Sequence, residues 1–508
     1  MLLMAKLQLD VDKPHLKKHW EKVAIMSTPS TASSASGLKA RCLSFTETLS
    51  QSVANISPTL TPVVIVPLVF ASAGNGTWLA YLFAAIGLML VGLNINQFAR
   101  RSASPGSLYS FVTRGMGVSA GFLSGWCLIV AYIFTAMSVL AGAVNYAIIL
   151  LAMAHLTVHP VILFAVGAAL AWYIAYKDIK LSTQLMLVLE GVSMVIILAL
   201  GIIIMAHKGV VIDTRQFALQ GMNFSGLKAG LILAIFSYVG YESATTLGEE
   251  ARNPLKTIPK AVLLSAFISG LFFMLTAYIA VLGFQGMKVS LGDSAAPFND
   301  LANSAGVGFF AVLISVGAVI SAFACTLASI NAGARILFSL GRHGILHPHI
   351  GKAHRENSTP HHAATAASVL VFLLPAVMIF CGQGVLDVFN DLSTIATYGF
   401  LVVYVLISIA APIYLKRIGK LTLAGILLSI VSVAFMIPAI VATVYPAPAA
   451  PMTWFPYYFL AYLGAGMIWF CFLRMRSPRV LEEIKADLEL INIRFGEAEA
   501  PIPSSAQT

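Results

Sequence analysis

Long apolar runs, almost free of charged residues, follow one another from Phe45 to Leu473. About 20 apolar residues are enough for a helix to cross the hydrocarbon core of a bilayer. The strands of a membrane barrel would alternate apolar and polar positions over about ten residues, whereas these runs are continuous and longer. The pattern therefore predicts an all-α polytopic membrane protein with about twelve transmembrane helices. The runs are Phe45–Ala73, Trp78–Ala99, Val118–Leu151, Val158–Tyr176, Leu181–Ala206, Leu227–Leu247, Ile258–Gly286, Gly306–Leu340, Ala363–Cys381, Val388–Leu415, Leu421–Val444 and Phe455–Leu473.

Basic residues are distributed unevenly among the segments that join these runs. The chain is 10% charged, with a formal charge of +10. If the N-terminus is cytoplasmic, most of the 31 Lys and Arg residues fall on the cytoplasmic side. This positive-inside bias predicts a protein of the cytoplasmic (inner) membrane with both termini in the cytoplasm, and it accounts for the charge without a nucleic-acid partner. The basic residues on the other side are Lys208, Arg215, Lys228 and Lys288.

Several classes of chemistry lack a matching motif. The five cysteines show no spacing typical of a metal site or a disulfide framework. The chain has no Walker loop, dinucleotide fingerprint or zinc-protease motif. A membrane-embedded enzyme would need a nucleophile and a base, or a metal set, at one depth, and the sequence offers none. We therefore expect no cofactor, no metal and no ATP hydrolysis, so that any transport runs on a gradient or on exchange.

Two of the runs contain residues that interrupt a helix. In the first run, Pro58 and Pro62 stand beside hydroxyl residues, and proline removes a backbone donor and clashes with the preceding turn. In the sixth run, Gly240 and Glu242 occur within an apolar frame. A kinked packing helix would explain either run alone. Paired interruptions in corresponding halves indicate instead the binding site of a secondary transporter. A channel would not need two paired helix breaks.

The positions of the interruptions suggest how the chain is organised. Runs one to five and six to ten would form two inverted repeats, because this makes the interrupted runs equivalent. The predicted parts are a cytoplasmic tail at residues 1–44, a transport core of ten helices at 45–415, helices eleven and twelve at 416–473, and a cytoplasmic tail at 474–508.

Four stretches, in chain order, resemble the amino acid–polyamine–organocation (APC) superfamily. "FSYVGYESATTLGEEARNPLKTIPKAV" resembles its helix-six signature, and "SASPGSLYSFVTRGMGVSAGFLSGW" resembles the loop that enters helix three. "LASINAGARILFSLGRHGILHP" and "STPHHA" resemble the end of helix eight and the entry to helix nine. The resemblance implies a LeuT-like fold of five plus five inverted helices, with helices one and six interrupted, that works by alternating access.

The resemblance also implies a substrate site at the two interruptions. Phe236 would take the position of an aromatic gate over the substrate, and Gly240 permits an unusual backbone or a close approach. A lipid-facing Phe and a packing glycine are the plainer interpretations of these two residues. The residues assigned to the substrate are Ser57, Thr59, Leu60, Phe236, Ser237 and Gly240.

The interrupted helices also suggest a class of substrate. Half-helix ends carry about half an elementary charge each, positive at the N-terminus and negative at the C-terminus. An α-amino acid, with its carboxylate and ammonium, matches both ends. The family often has Gly-x-Gly where this chain has Ser57-Pro58-Thr59, which removes one amide donor and favours an amine or an unusual amino acid. An amino acid permease is therefore the leading hypothesis, a polyamine or organic-amine transporter is the alternative, and a membrane-embedded enzyme is a distant one.

Two carboxylates within the runs are candidates for proton coupling. Glu242 lies just beyond Gly240, and Glu190 lies midway along the fifth run. Intramembrane acids are rare and mark functional sites by default, although Glu190 could also tie helix five to helix one or eight. Sodium coupling would instead use carbonyls of helix one with hydroxyls of helix eight, for which Thr326 and Ser329 are candidates.

Two further groups of polar residues lie in predicted cytoplasmic segments. Six of the eleven histidines fall between residues 343 and 362, and their spacing follows no metal-ligand pattern, so we interpret this segment as a polar loop. Acidic and basic residues at the inner end of helix six would form a cytoplasmic gate with helix eight. The predicted gate residues are Glu249, Glu250, Arg252 and Arg335.

Overall fold

The structure is a computed structural model that describes residues 36–209, 212–294, 296–445 and 450–477, with a few positions between 480 and 486. Within these ranges the chain is helical and forms no β-strand. The α-helices of eight or more residues are α1 Phe45–Ile56, α2 Val66–Ala73, α3 Thr77–Ala99, α4 Ser107–Met116, α5 Val118–Met153, α6 Pro160–Lys177, α7 Ile179–Lys208, α8 Phe224–Phe236, α9 Pro254–Phe284, α10 Pro297–Ser304, α11 Phe309–Arg342, α12 His361–Phe380, α13 Val385–Arg417, α14 Leu423–Ala442 and α15 Phe455–Arg476.

Ten helical segments of the described chain are long and apolar enough to cross a membrane. One of them is the 55-residue stretch Phe45–Ala99, which contains α1 to α3, and a shorter apolar helix is α8. The chain is therefore a multi-pass integral membrane protein. Each apolar run identified in the sequence contains helical structure, but the first run is broken after Ile56 and the helix of the sixth run ends at Phe236.

The long helix α5 lies at the centre of the bundle and packs against α11 and α13. In its most apolar window 89% of the residues are buried, against 22% for α6 at the periphery. Peripheral helices present apolar side chains outward, as lipid contact requires. The candidate site therefore lies among α1, α5, α8, α11 and α13, away from the lipid-facing surface.

Two described α-helices of eight or more residues were not predicted from the hydropathy pattern. The ten-residue helix α4 and the eight-residue helix α10 are each too short to cross a bilayer and too polar to appear as runs. They connect longer helices, and α4 packs against α5 and α13.

Candidate functional site

The first apolar run is interrupted after Ile56, at the place where the prolines predicted a break. Ser57 adopts a left-handed backbone conformation, with φ of 52°. The chain resumes in a π-helical turn at Thr61 and continues as α2 from Val66. Pro62 lies in the first turn of this segment, where the absence of its amide costs no helical hydrogen bond.

This break leaves backbone donors uncommitted. The Ser57 amide donates to the Ala54 carbonyl, and the Thr61 amide donates to the Ser57 carbonyl. Between them, the amides of Thr59 and Leu60 donate to no residue in the part of the chain that the structure describes. Backbone amides that lack an acceptor at the start of a helical segment attract a negative group.

Helix six is interrupted after Phe236, and the break consists of tight turns. After Phe236 the backbone makes a series of tight turns, such as Val239 N–H to Phe236 O at 3.2 Å, and then the 3₁₀ turn Ser243–Leu247. These bonds satisfy much of the backbone locally. Gly240 stands among the turns with φ of 87°, a conformation that favours glycine.

Asn55 connects the two breaks, a role that no local sequence pattern predicted. Its Nδ2 donates to the Gly240 carbonyl at 3.3 Å, and its Oδ1 accepts from Ser329 of α11 at 2.5 Å. A Cβ added to Gly240 would lie 1.9 Å from the Asn55 amide nitrogen. The side chain of Asn55 thus needs glycine at position 240, and it joins α1, the helix-six break and α11.

A narrow cavity of about 20 Å³ lies between the two breaks. This volume has room for about one water molecule, so the site must widen to admit a larger ligand. None of the lining residues carries a charged side chain, and most are apolar or hydroxyl-bearing. The lining residues are Asn55, Ile56, Ser57, Leu60, Thr61, Ile65, Thr135, Val139, Phe236, Ser237, Val239, Cys325 and Phe389.

Four of the six residues assigned to the substrate line this cavity, namely Ser57, Leu60, Phe236 and Ser237. Thr59 and Gly240 do not. Thr59 is fully buried beside the cavity, and Gly240 is covered by Asn55.

Other helices complete the cavity with residues that sequence reasoning did not identify. Thr135 and Val139 lie one turn apart on α5, Cys325 lies on α11, and Phe389 lies on α13. The spacing of Thr135 and Val139 shows that they share a helix face. No local pattern could have shown that this face meets the two breaks.

Glu242 is fully buried just outside the cavity lining, and both of its carboxylate oxygens are occupied. The Tyr132 hydroxyl of α5 donates to Oε1 at 2.8 Å, and the Tyr404 hydroxyl of α13 donates to Oε2 at 2.7 Å. The carboxyl group therefore joins the helix-six break to α5 and α13. Any change in its protonation would alter both contacts.

Glu190 is also buried, and it is connected to the helix-one break. The Ser321 hydroxyl of α11 lies 2.9 Å from each carboxylate oxygen, and it lies 3.0 Å from the Ser57 hydroxyl. These hydrogen bonds connect helix five to helices one and eight, which is the structural interpretation of Glu190 given in the sequence analysis. The same arrangement links an ionisable group to a residue of the cavity lining.

Each of the two hydroxyls considered for sodium coupling donates a hydrogen bond, which leaves its oxygen lone pairs able to bind a cation. Thr326 donates to the Ala322 carbonyl of its own helix at 2.9 Å, and Ser329 donates to Asn55.

The predicted gate residues divide into a buried pair and two other positions. Arg335 contacts the two carboxylate oxygens of Glu250 at 2.5 and 2.8 Å, and both side chains are buried. Glu249 binds the hydroxyl of Ser36. The side chain of Arg252 is exposed, so only Glu250 and Arg335 form the predicted contact between the end of helix six and helix eight.

Residues 36–43, named here the N-terminal strap, cover the same end of the bundle. Leu43 pairs in parallel with Ala251, just after the buried ion pair. The Lys39 ammonium lies 2.6 Å from the carboxylate of Asp178, which caps α7. This hydrogen bond is the main reason why the pKa of Lys39 is raised. The strap thus joins the segment after helix six to the start of helix five.

The clustered histidines contact one another without forming a ligand set. The rings of His361 and His362 lie 3.9 Å apart between centroids, and those of His354 and His361 lie 5.0 Å apart. Across the described ranges, no group of three or more His, Cys, Asp or Glu residues could hold a metal ion.

Comparison with known proteins gives a consistent result. A sequence model of the amino acid permease family matches residues 48–476. The branched-chain amino acid permease BcaP of Bacillus subtilis is 24% identical over 370 residues, covering 68% of this chain and 75% of the relative. The low-affinity putrescine importer PlaP of Escherichia coli is 26% identical over 279 residues, covering 52% of this chain and 59% of the relative. The methylthioribose transporter of Bacillus subtilis is 24% identical over 425 residues, covering 80% and 87%.

The family match covers both helix breaks, the cavity between them and the buried ion pair. The four motifs that resemble the APC superfamily lie within the matched residues. The chain belongs to the amino acid permease family of the APC superfamily, and it is a membrane permease for an organic substrate.

Proposed function

We propose that this permease carries small neutral amino acids by alternating access, coupled to protons or by exchange. The observation that carries the proposal is a small cavity between two broken helices whose lining has no charged side chain. A zwitterion placed there would find its charges balanced by the helix ends. The uncommitted amide of Leu60, which lines the cavity, suits its carboxylate.

The lining also supports a choice between the two substrate classes. A polyamine carries at least two positive charges, and burial of an unpaired charge is costly. The acids that could neutralise it are engaged elsewhere, Glu242 by Tyr132 and Tyr404, and Glu190 by Ser321. A neutral amino acid suits this uncharged lining better than a polyamine does, so the Ser-Pro-Thr turn does not by itself require an amine.

We propose that the fold has twelve crossings, with the first ten in two inverted repeats and both tails in the cytoplasm. The correspondence of the breaks in α1–α2 and after α8 supports the repeat. The basic residues support the orientation. Protease added to sealed right-side-out vesicles should leave a C-terminal epitope tag intact, and its removal would contradict this topology.

Uptake by proteoliposomes is the direct test of the transport proposal. We expect labelled L-leucine, L-isoleucine and L-valine to accumulate when the lumen is more alkaline than the medium, because inward proton flow would then drive them. Putrescine and 5-methylthioribose complete the panel. Transport of putrescine with none of the amino acids would favour the amine alternative and contradict the proposal.

Phe236 provides a variant with a matched control on the same helix. Phe236→Ala should reduce uptake by about tenfold or more, because a large apolar contact with the substrate is lost. Phe224 lies at the other end of α8 and is 74% exposed, so Phe224→Ala should leave uptake nearly unchanged. Equal uptake by the two variants would remove Phe236 from the site.

A further inference from the structure

The hydroxyl of Thr135 has no hydrogen-bond partner among the residues that the structure describes. Thr135 lies on α5 with 2% of its surface exposed, and it lines the cavity. Threonines in helices usually satisfy their hydroxyls on the preceding turn. Thr113 and Thr276 do so here, with donor–acceptor distances of 2.7 and 2.9 Å to Tyr109 O and Phe272 O.

An unpartnered buried hydroxyl lowers the stability of the empty protein, since it has lost water without gaining another partner. Valine would fill nearly the same volume without this cost. Two polar side chains of the same lining already have partners, since Ser57 is bound to Ser321, and Asn55 is bound to Gly240 and Ser329. A partner that arrives with the substrate would explain why the hydroxyl is present.

We propose that Thr135 binds the substrate directly, through a hydrogen bond from its hydroxyl to the polar head group of an amino acid. This inference rests on the proposed function and deepens it. Val139, one turn further along α5, and Phe389 give the same region an apolar wall. A ligand that binds the Thr135 hydroxyl and also packs against this wall needs a polar end and an aliphatic end about one helical turn apart. Leucine, isoleucine and valine have both ends.

The test compares two substitutions at Thr135 with a control on the same helix. Thr135→Val removes the hydroxyl and keeps the shape, whereas Thr135→Ser keeps the hydroxyl. Ser124 is also fully buried on α5 with an unpartnered hydroxyl, but it does not line the cavity. Ser124→Ala therefore controls for the loss of a buried hydroxyl outside the site.

We expect Thr135→Val to raise the KM for L-leucine by about tenfold or more, because a hydrogen bond to a charged group is lost. Thr135→Ser should stay within about threefold of the wild type, and Ser124→Ala should match it. The melting temperature of ligand-free Thr135→Val should equal or exceed that of the wild type. An unchanged KM in Thr135→Val, or an equal rise in Ser124→Ala, would overturn the proposal.

Ligand-induced thermal stabilisation separates this proposal from the proposed function. L-leucine, putrescine and 5-methylthioribose are each added to purified wild type and variants. If putrescine alone stabilises the wild type, the proposed amino acid function is refuted. If Thr135→Val then responds to putrescine like the wild type, the proposed contact between Thr135 and the substrate is refuted as well. If L-leucine stabilises wild type and Thr135→Val equally, Thr135 is refuted and the function stands. If none of the three stabilises the wild type, both proposals are overturned.

Discussion

Replacing Arg335 with alanine is expected to destabilise the protein severely and to abolish uptake. The guanidinium of Arg335 meets both carboxylate oxygens of Glu250, and the two side chains are 2% and 0% exposed. Removing one partner leaves a buried charge uncompensated, which costs about 3–5 kcal/mol. A typical domain is stable by only about 5–15 kcal/mol. The measurement is the melting temperature of the purified variant, with uptake of L-leucine by proteoliposomes.

Two further variants separate the pair's role in stability from its role as a gate. Arg252 lies two residues beyond Glu250 and is exposed, so Arg252→Ala should melt close to the wild type. Arg335→Met combined with Glu250→Leu should recover much of the lost stability, because neither charge remains buried alone. If the pair is a cytoplasmic gate, uptake should stay impaired in this double variant. Wild-type melting and uptake in Arg335→Ala would refute both roles.

The features predicted correctly from the sequence are those that follow from local physical constraints. Hydrocarbon demands long apolar helices, so the run from Val118 to Leu151 appears as α5 with nearly the same ends. Proline prevents a regular helix, so the break near Pro58 could be located. Gly240 also occupies a backbone conformation that favours glycine. In these cases the cause lies within a few residues of its effect.

The features that the sequence did not predict depend on contacts between distant parts of the chain. Tyr132 and Tyr404 hold Glu242 from positions 110 and 162 residues away. Nothing in the local pattern distinguishes them from other tyrosines of the bundle. Asn55 is similar, since its importance comes from the carbonyl of Gly240 and the hydroxyl of Ser329. Partners of this kind are set by how helices pack.

The same contacts give Glu242 two physically distinct roles. As a carboxylate it accepts from both tyrosine hydroxyls and braces the helix-six break against α5 and α13. A conformation that admits water would favour the charged form, and a dry one favours the neutral acid. Proton affinity would then differ between inward- and outward-facing states. Such a difference is what coupling requires, since a ligand shifts an equilibrium only by its differential affinity.

Glu242→Gln is therefore expected to remove most of the pH dependence of uptake, while substrate binding survives. Glutamine keeps the shape of glutamate and does not titrate. Its NH₂ group, however, faces one of the two tyrosine hydroxyls, so that two donors meet where a donor met an acceptor. That mismatch should cost about 1–3 kcal/mol of stability, and Tyr404→Phe in the same chain should recover part of it by removing one donor. The measurement is L-leucine uptake between pH 5 and 8, beside L-leucine exchange, which needs no net proton movement and should be less affected.

Glu190→Gln serves as the comparison, because Glu190 is the second buried acid and a single hydroxyl, that of Ser321, contacts both of its oxygens. If Glu242 carries the proton, Glu190→Gln should keep a pH-dependent uptake whose slope resembles the wild type. A wild-type profile in Glu242→Gln, together with a flat one in Glu190→Gln, would move the coupling to the chain of hydroxyls that joins Glu190 to Ser57. Flat exchange and uptake in the wild type itself would contradict proton coupling altogether, because neither acid would then gain or lose a proton during the transport cycle.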